Sequence, residues 1–83
     1  MYEIVIAIKA RKELKKLSAI HQTSILQVFQ DLRENPDLGK PLTREFSNRF
    51  SYRLGVFRII YKVNKKEKIV TIISAGHRSV VYN

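Results

Sequence analysis

The stretch Tyr52-Arg53-Leu54-Gly55-Val56-Phe57-Arg58-Ile59-Ile60-Tyr61-Lys62-Val63 decides the fold. Up to Leu54, and again from Phe57, apolar side chains recur at every second position, the period of a β-strand with one covered face. Phe50, Tyr52 and Leu54 alternate with Ser51 and Arg53, and Phe57, Ile59, Tyr61 and Val63 alternate with Arg58, Ile60 and Lys62. Gly55 stands between the two runs, where a tight turn is expected, so the segment reads as an antiparallel hairpin. If the aromatic and aliphatic sets face a core, Arg53 and Arg58 face away from it on adjacent strands and lie near one another. A slip of one residue would reverse that outcome.

Beyond the hairpin, Asn64-Lys65-Lys66-Glu67 reads as a polar turn and Ile69 to Ile73 as a nearly continuous apolar strand covered on both faces. Gly76 reads as its end, and Ser79 to Tyr82 as a last short strand on which Arg78, Val80 and Tyr82 share a face. On the other side, Phe46 reads as the start of a strand interrupted at Asn48 and Arg49, and residues 37–43, with Gly39 and Pro41, as a loop. Ile25, Val28, Phe29 and Leu32 have the i, i+3, i+4, i+7 spacing of a helix over Ala19–Glu34, which Asn35-Pro36 ends. Ala10, Leu14 and Leu17 form the apolar stripe of a shorter helix ending near Ser18, with Lys9, Arg11, Lys12, Lys15 and Lys16 around it. Tyr2 to Ile8 reads as the first strand, with Ile4, Ile6 and Ile8 on one face. The order is β-α-α-β-β-β(-β) in a single α+β domain over residues 1–83: a twisted, mainly antiparallel sheet with an αα-hairpin packed on one face.

Composition limits the function. A chain of 83 residues has room for one small core, and 45% hydrophobic residues is ordinary for a folded domain. Sixteen Lys and Arg against seven Asp and Glu give a formal charge of +9. Nine of the basic and only two of the acidic residues lie in 44–83. A basic, strand-rich half with arginines interleaved among Tyr and Phe suits a polyanionic partner, since such side chains bind phosphates and stack on bases. The absence of Cys excludes disulfides, a thiol nucleophile and a Cys-ligated zinc site. With only two His, no metal is expected, and no cofactor is implied. No apolar run approaches the roughly 20 residues of a membrane span, and Met1-Tyr2-Glu3-Ile4-Val5 lacks the pattern of a signal peptide, so a cytoplasmic location is expected.

Three segments taken together resemble the RelE/ParE toxin superfamily: Pro41-Leu42, then Tyr52 to Val63, then Gly76-His77-Arg78-Ser79-Val80-Val81-Tyr82. The family's Tyr/Phe-Arg-x-x-Tyr strand and its closing Gly-His/Lys-Arg-x-x-Val-Tyr are both recognisable, and the opening strand and helices fit its layout. Phe57 stands where Tyr is frequent, and Val56 replaces a common turn Asp. The resemblance implies the toxin of a type II toxin–antitoxin pair, with a cognate acidic antitoxin in a hetero-oligomer. Its RelE-like members cut mRNA in the ribosomal A site. Arg58, Arg78 and Tyr82 fall on positions that look catalytic in those members. His77 sits where some members have Lys, and Arg53 lies near a position that is often basic. Lys62 and Arg49 join Arg53 as RNA-binding candidates.

Cleavage by an RNA 2′-hydroxyl needs alignment with the phosphate, a proton acceptor, a donor to the leaving 5′-oxygen and relief of charge on the phosphorane. Arginine, permanently protonated and fork-shaped, suits charge relief, the role the resemblance gives Arg58 and Arg78. Tyr82, with an ordinary pKa of ~10, serves as a base only if neighbouring arginines lower that value. His77, of the residue type whose ordinary titration lies nearest neutrality, is the better proton shuttle if it points into the site. Glu45 and Glu67, the only carboxylates in the basic half, offer no evident base, which implies reliance on the ribosome to orient the RNA. Two rivals share the sequence features: a ParE-like toxin that inhibits DNA gyrase and cuts nothing, and a non-catalytic basic RNA-binding module.

Overall fold

The computed structural model describes residues 1–42 and 48–78. Its elements run β1 (Glu3–Ile6), α1 (Ile8–Lys15), α2 (Ala19–Glu34), a 3-10 turn (Pro36–Leu38), β2 (Lys40–Pro41), β3 (Arg49–Leu54), β4 (Phe57–Asn64) and β5 (Ile69–His77). The sheet order is β1-β5-β4-β3-β2, with β1 parallel to β5 and every other pairing antiparallel. This is the expected α+β architecture, with the helices on one face. The strand read over Ser79–Tyr82 and the strand start at Phe46 lie outside the described residues.

The core forms where the three periodicities meet. Ala10 of α1, the α2 stripe Ile25, Val28, Phe29 and Leu32, the β4 set Phe57, Ile59, Tyr61 and Val63, and Val70, Ile72 and Ala75 of β5 pack as one buried cluster. Phe50, Tyr52 and Leu54 of β3 close its flank, as their alternation requires. The corner between the helices is held by Gln22, whose Nε2 donates to the Leu14 and Leu17 carbonyls at 2.9 and 3.0 Å. That contact ties the end of α1 and the linking residue Leu17 to α2. Ser18 caps the start of α2.

Tyr61 anchors the segment leading into β2. Its hydroxyl donates to the Pro36 carbonyl at 2.7 Å and accepts the Gly39 N–H at 2.8 Å, and its ring stacks on Phe50 at 5.3 Å. A Cβ on residue 39 would stand 2.6 Å from that hydroxyl, so the close approach requires glycine. Burial pushes the Tyr61 pKa up to about 12, the Gly39 N–H opposing the rise.

Four expectations are corrected. Helix α1 begins at Ile8, which is 73% exposed instead of lying on a strand face, because the chain leaves the sheet after Ile6. Part of the expected loop over 37–43 is β2, paired through Lys40–Ser51 and Pro41–Phe50; proline is tolerated on such an edge. Gly76 does not end β5 but lies inside it, opposite Arg58. β5 is also not covered on both faces throughout, since Ile69, Thr71 and Ile73 are half-exposed beside buried Val70 and Ile72.

Candidate nucleic-acid interface

The hairpin turn is built by Gly55, whose φ of 58° puts the first of two loop residues in the left-handed region while Val56 stays out of it. That pattern matches the II′ turn, which suits the twist of paired strands. Leu54 pairs with Phe57 on the core side, so the next pair, Arg53 and Arg58, projects from the opposite face. Gly76 pairs with Arg58 from the other side and presents no side chain there. Beyond β5, the Arg78 N–H donates to the Val56 carbonyl at 2.7 Å, fastening the end of the strand to the hairpin turn.

Two cavities meet at Arg58. The first, about 330 Å³, is lined by Val56, Arg58, His77 and Arg78. The second, about 510 Å³, runs past Arg58 and Arg53 to Ser51, Lys40 and Leu42. No acidic residue lines either one among the described residues. The Arg58 Nε is buried and has no hydrogen-bond partner among the described residues. A buried guanidinium donor left unmatched is costly, and an incoming anion is the group that would satisfy it.

The other candidates are distributed as follows. His77 pairs with Phe57, and its ring meets Phe57 edge-on at 6.1 Å, on the helix side of the sheet. The Phe57 ring also meets the exposed His21, 4.7 Å away. Lys62 and Arg49 oppose one another on the face that carries Arg53 and Arg58. Four residues along the strands separate them from the arginine pair, a rise of about 13 Å. Lys62 lines a separate cavity with Asn48 and Lys65, and Ile60 intervenes, buried. The structure thus brings together Arg53, Arg58 and Arg78, with His77 lining the cavity that Arg58 and Arg78 share, and leaves Lys62 and Arg49 apart. Tyr82 and Glu45 lie outside the described residues. Lys40 was missed because it sits beside Pro41 in a stretch that reads as a loop; its basic charge was the only available signal.

Among the described residues no three His, Asp or Glu side chains gather as metal ligands. None of their helices is long and apolar enough to cross a membrane.

Known proteins share this fold. Residues 4–82 match the family model described as the ParE toxin of the type II toxin–antitoxin system parDE. The chain is 32% identical to the toxin RelG of Mycobacterium tuberculosis, over 98% of this chain and 95% of that protein. It is also 32% identical to the toxin RelE of the same organism, over 98% of this chain and 86% of the relative. Among solved structures it superposes on a chain of the M. tuberculosis RelBE2 toxin–antitoxin complex with a TM-score of 0.84 and 33% identity, covering 93% of this chain and 98% of that one. The chain belongs to the RelE/ParE superfamily and is a toxin of the type II toxin–antitoxin class.

Proposed function

We propose that the protein is a ribosome-dependent mRNA endoribonuclease that arrests translation and is held inactive by a cognate acidic antitoxin. The observation that carries this reading is the buried Arg58 Nε, without a partner among the described residues, on the sheet face away from the helices, with Arg53 opposite and Arg78 lining the same cavity. Such a cluster suits a phosphodiester. The 2′-oxygen attacks phosphorus, the bond to the 5′-oxygen breaks, and the arginines relieve the charge that builds on the non-bridging oxygens. The products are a 2′,3′-cyclic phosphate and a 5′-hydroxyl. Tyr82 is assigned to stacking on a base or proton exchange with the 2′-hydroxyl. His77, which lines the same cavity as Arg58 and Arg78, is assigned to proton donation or acceptance. Among the described residues the cavities carry no carboxylate base, which supports dependence on the ribosome to align the RNA. Likeness to the toxins RelE and RelG supports the nuclease reading, and likeness to a chain of the RelBE2 toxin–antitoxin complex supports an antitoxin partner.

The test is induced expression with mapping of mRNA 5′ ends, comparing the intact chain with Arg78→Ala. New ends inside codons that vanish in the variant support the reading; growth arrest without new ends argues against it. The parDE description of the matched family favours one alternative, a toxin that inhibits DNA gyrase. Loss of supercoiling activity in the presence of the protein, with mRNA intact, would select it.

A further inference from the structure

We propose that Glu13 of α1 is a positioning residue that fixes the register of the last turn of β5, and with it the place of Arg78 beside Arg58. The inference rests on the reading of those arginines as the RNA site. It begins where β1 ends. The parallel pairing stops at Ile6–Ile72, and the Ala7 N–H donates to the Ile72 carbonyl at 2.9 Å as the chain turns into α1. From Ile73 onward the outer edge of β5 has no neighbouring strand among the described residues.

The ladder to β4 changes there. Ile60 pairs with Ser74 but Tyr61 pairs with Ile72, so Ile73 is an extra residue and β5 carries a bulge. A bulge locally loosens pairing and re-aims the side chains that follow it. Without it, a one-residue shift would bring a side-chain-bearing residue opposite Arg58 in place of Gly76 and reverse the faces of every residue to Arg78. Glu13 closes this weak point. Its Oε1 accepts the Ser74 hydroxyl at 2.7 Å and the Ala75 N–H at 3.1 Å, on the two residues directly after the bulge. A helix side chain thereby replaces the strand that β1 no longer supplies. Ser74 is only 1% exposed and both contacts are partly buried. Past them, Gly76 faces Arg58 and the Arg78 N–H holds Val56.

The test uses the full chain as Glu13→Ala, Glu13→Gln and Ser74→Ala. Cleavage is measured on programmed ribosomes, and cross-strand NOEs and amide exchange of the free protein report the register at Gly76 and Arg78. We expect Glu13→Ala to lower the rate at saturating ribosomes by about 10²-fold, as a small misplacement does, with little change in KM. Its Ala75 and Arg78 amides should exchange faster, and the Arg58–Gly76 cross-strand NOE should weaken. Glu13→Gln, which keeps a carbonyl oxygen, should restore most of both. Unchanged NOEs and exchange in folded Glu13→Ala would overturn the proposal, even if the wild-type chain cut no RNA. Loss of cleavage in Glu13→Ala with the register intact would also overturn it. Absence of cleavage by the wild type, with the register lost in Glu13→Ala, would leave the positioning role standing and remove the nuclease reading alone.

Discussion

Arg53 and Arg58 are directly opposed partners across the β3–β4 hairpin, one pair in from the turn. Like charges at such positions repel, and isolated pairs of this kind destabilise a sheet by roughly 0.2–1 kcal/mol. The fold adds to that cost by burying the Arg58 Nε without a partner among the described residues. An arrangement that works against stability is expected where function needs a preorganised positive site.

Arg58→Met should therefore separate stability from activity. Urea denaturation should give a stability equal to the wild type or higher by about 0.5 kcal/mol, as repulsion is relieved. Cleavage should fall by about 10²–10³-fold, the usual cost of removing one preorganised donor from a developing charge. Arg53→Ala should lose less, about tenfold, equivalent to roughly one charge-assisted contact.

Tyr61→Phe leaves the Pro36 carbonyl and the Gly39 N–H without their partner. Unfolding free energy should drop by about 1–3 kcal/mol, the penalty for stranding buried polar groups. Gly39→Ala should destabilise as well, because the new methyl meets the Tyr61 hydroxyl.

The same residue sets an alkaline limit. The Tyr61 pKa is raised to about 12 in the folded chain, against ~10 when unfolded. The folded state therefore holds a proton that the unfolded state releases first. This contribution is fully present below pH ~10 and is lost as pH rises through about 12, up to roughly 3 kcal/mol. Chemical denaturation at pH 9 and pH 11 should show the fall, and it should be smaller in Tyr61→Phe.

Gly55→Ala tests the turn that carries both ends of the site. Its φ of 58° is strained for an L-residue, so a loss of about 1 kcal/mol is expected. Because Val56 next to it holds the Arg78 N–H, cleavage should fall more than stability alone explains. A rate unchanged in the folded variant would show that the hairpin turn does not position Arg78.

Much of this was legible because two periods are unambiguous here. The alternation at Phe57, Ile59 and Tyr61 put Arg58 on the outer face, and the stripe Ile25, Val28, Phe29 and Leu32 fell on the buried side of α2, both as observed. What stayed hidden depends on neighbours distant in sequence. Gly76 reads locally as a break, but hydrogen bonding to β4 carries the strand through it. The extra residue at Ile73 leaves no mark in an apolar run, since every phase of that run looks the same. Glu13 sits among the lysines of α1 with no local signal of its role, since the edge it covers is defined only by where β1 ends. The side of His77 depended on the same bulge.

The most direct measurement is cleavage of a defined mRNA by the purified protein, on ribosomes with an empty A site and on the same mRNA free in solution. The account predicts a cut within the A-site codon, at least about 10²-fold slower for Arg58→Met and for Arg78→Ala, and little or no cutting of the free RNA. Intact mRNA on the ribosome, or cleavage that survives loss of both arginines, would contradict it.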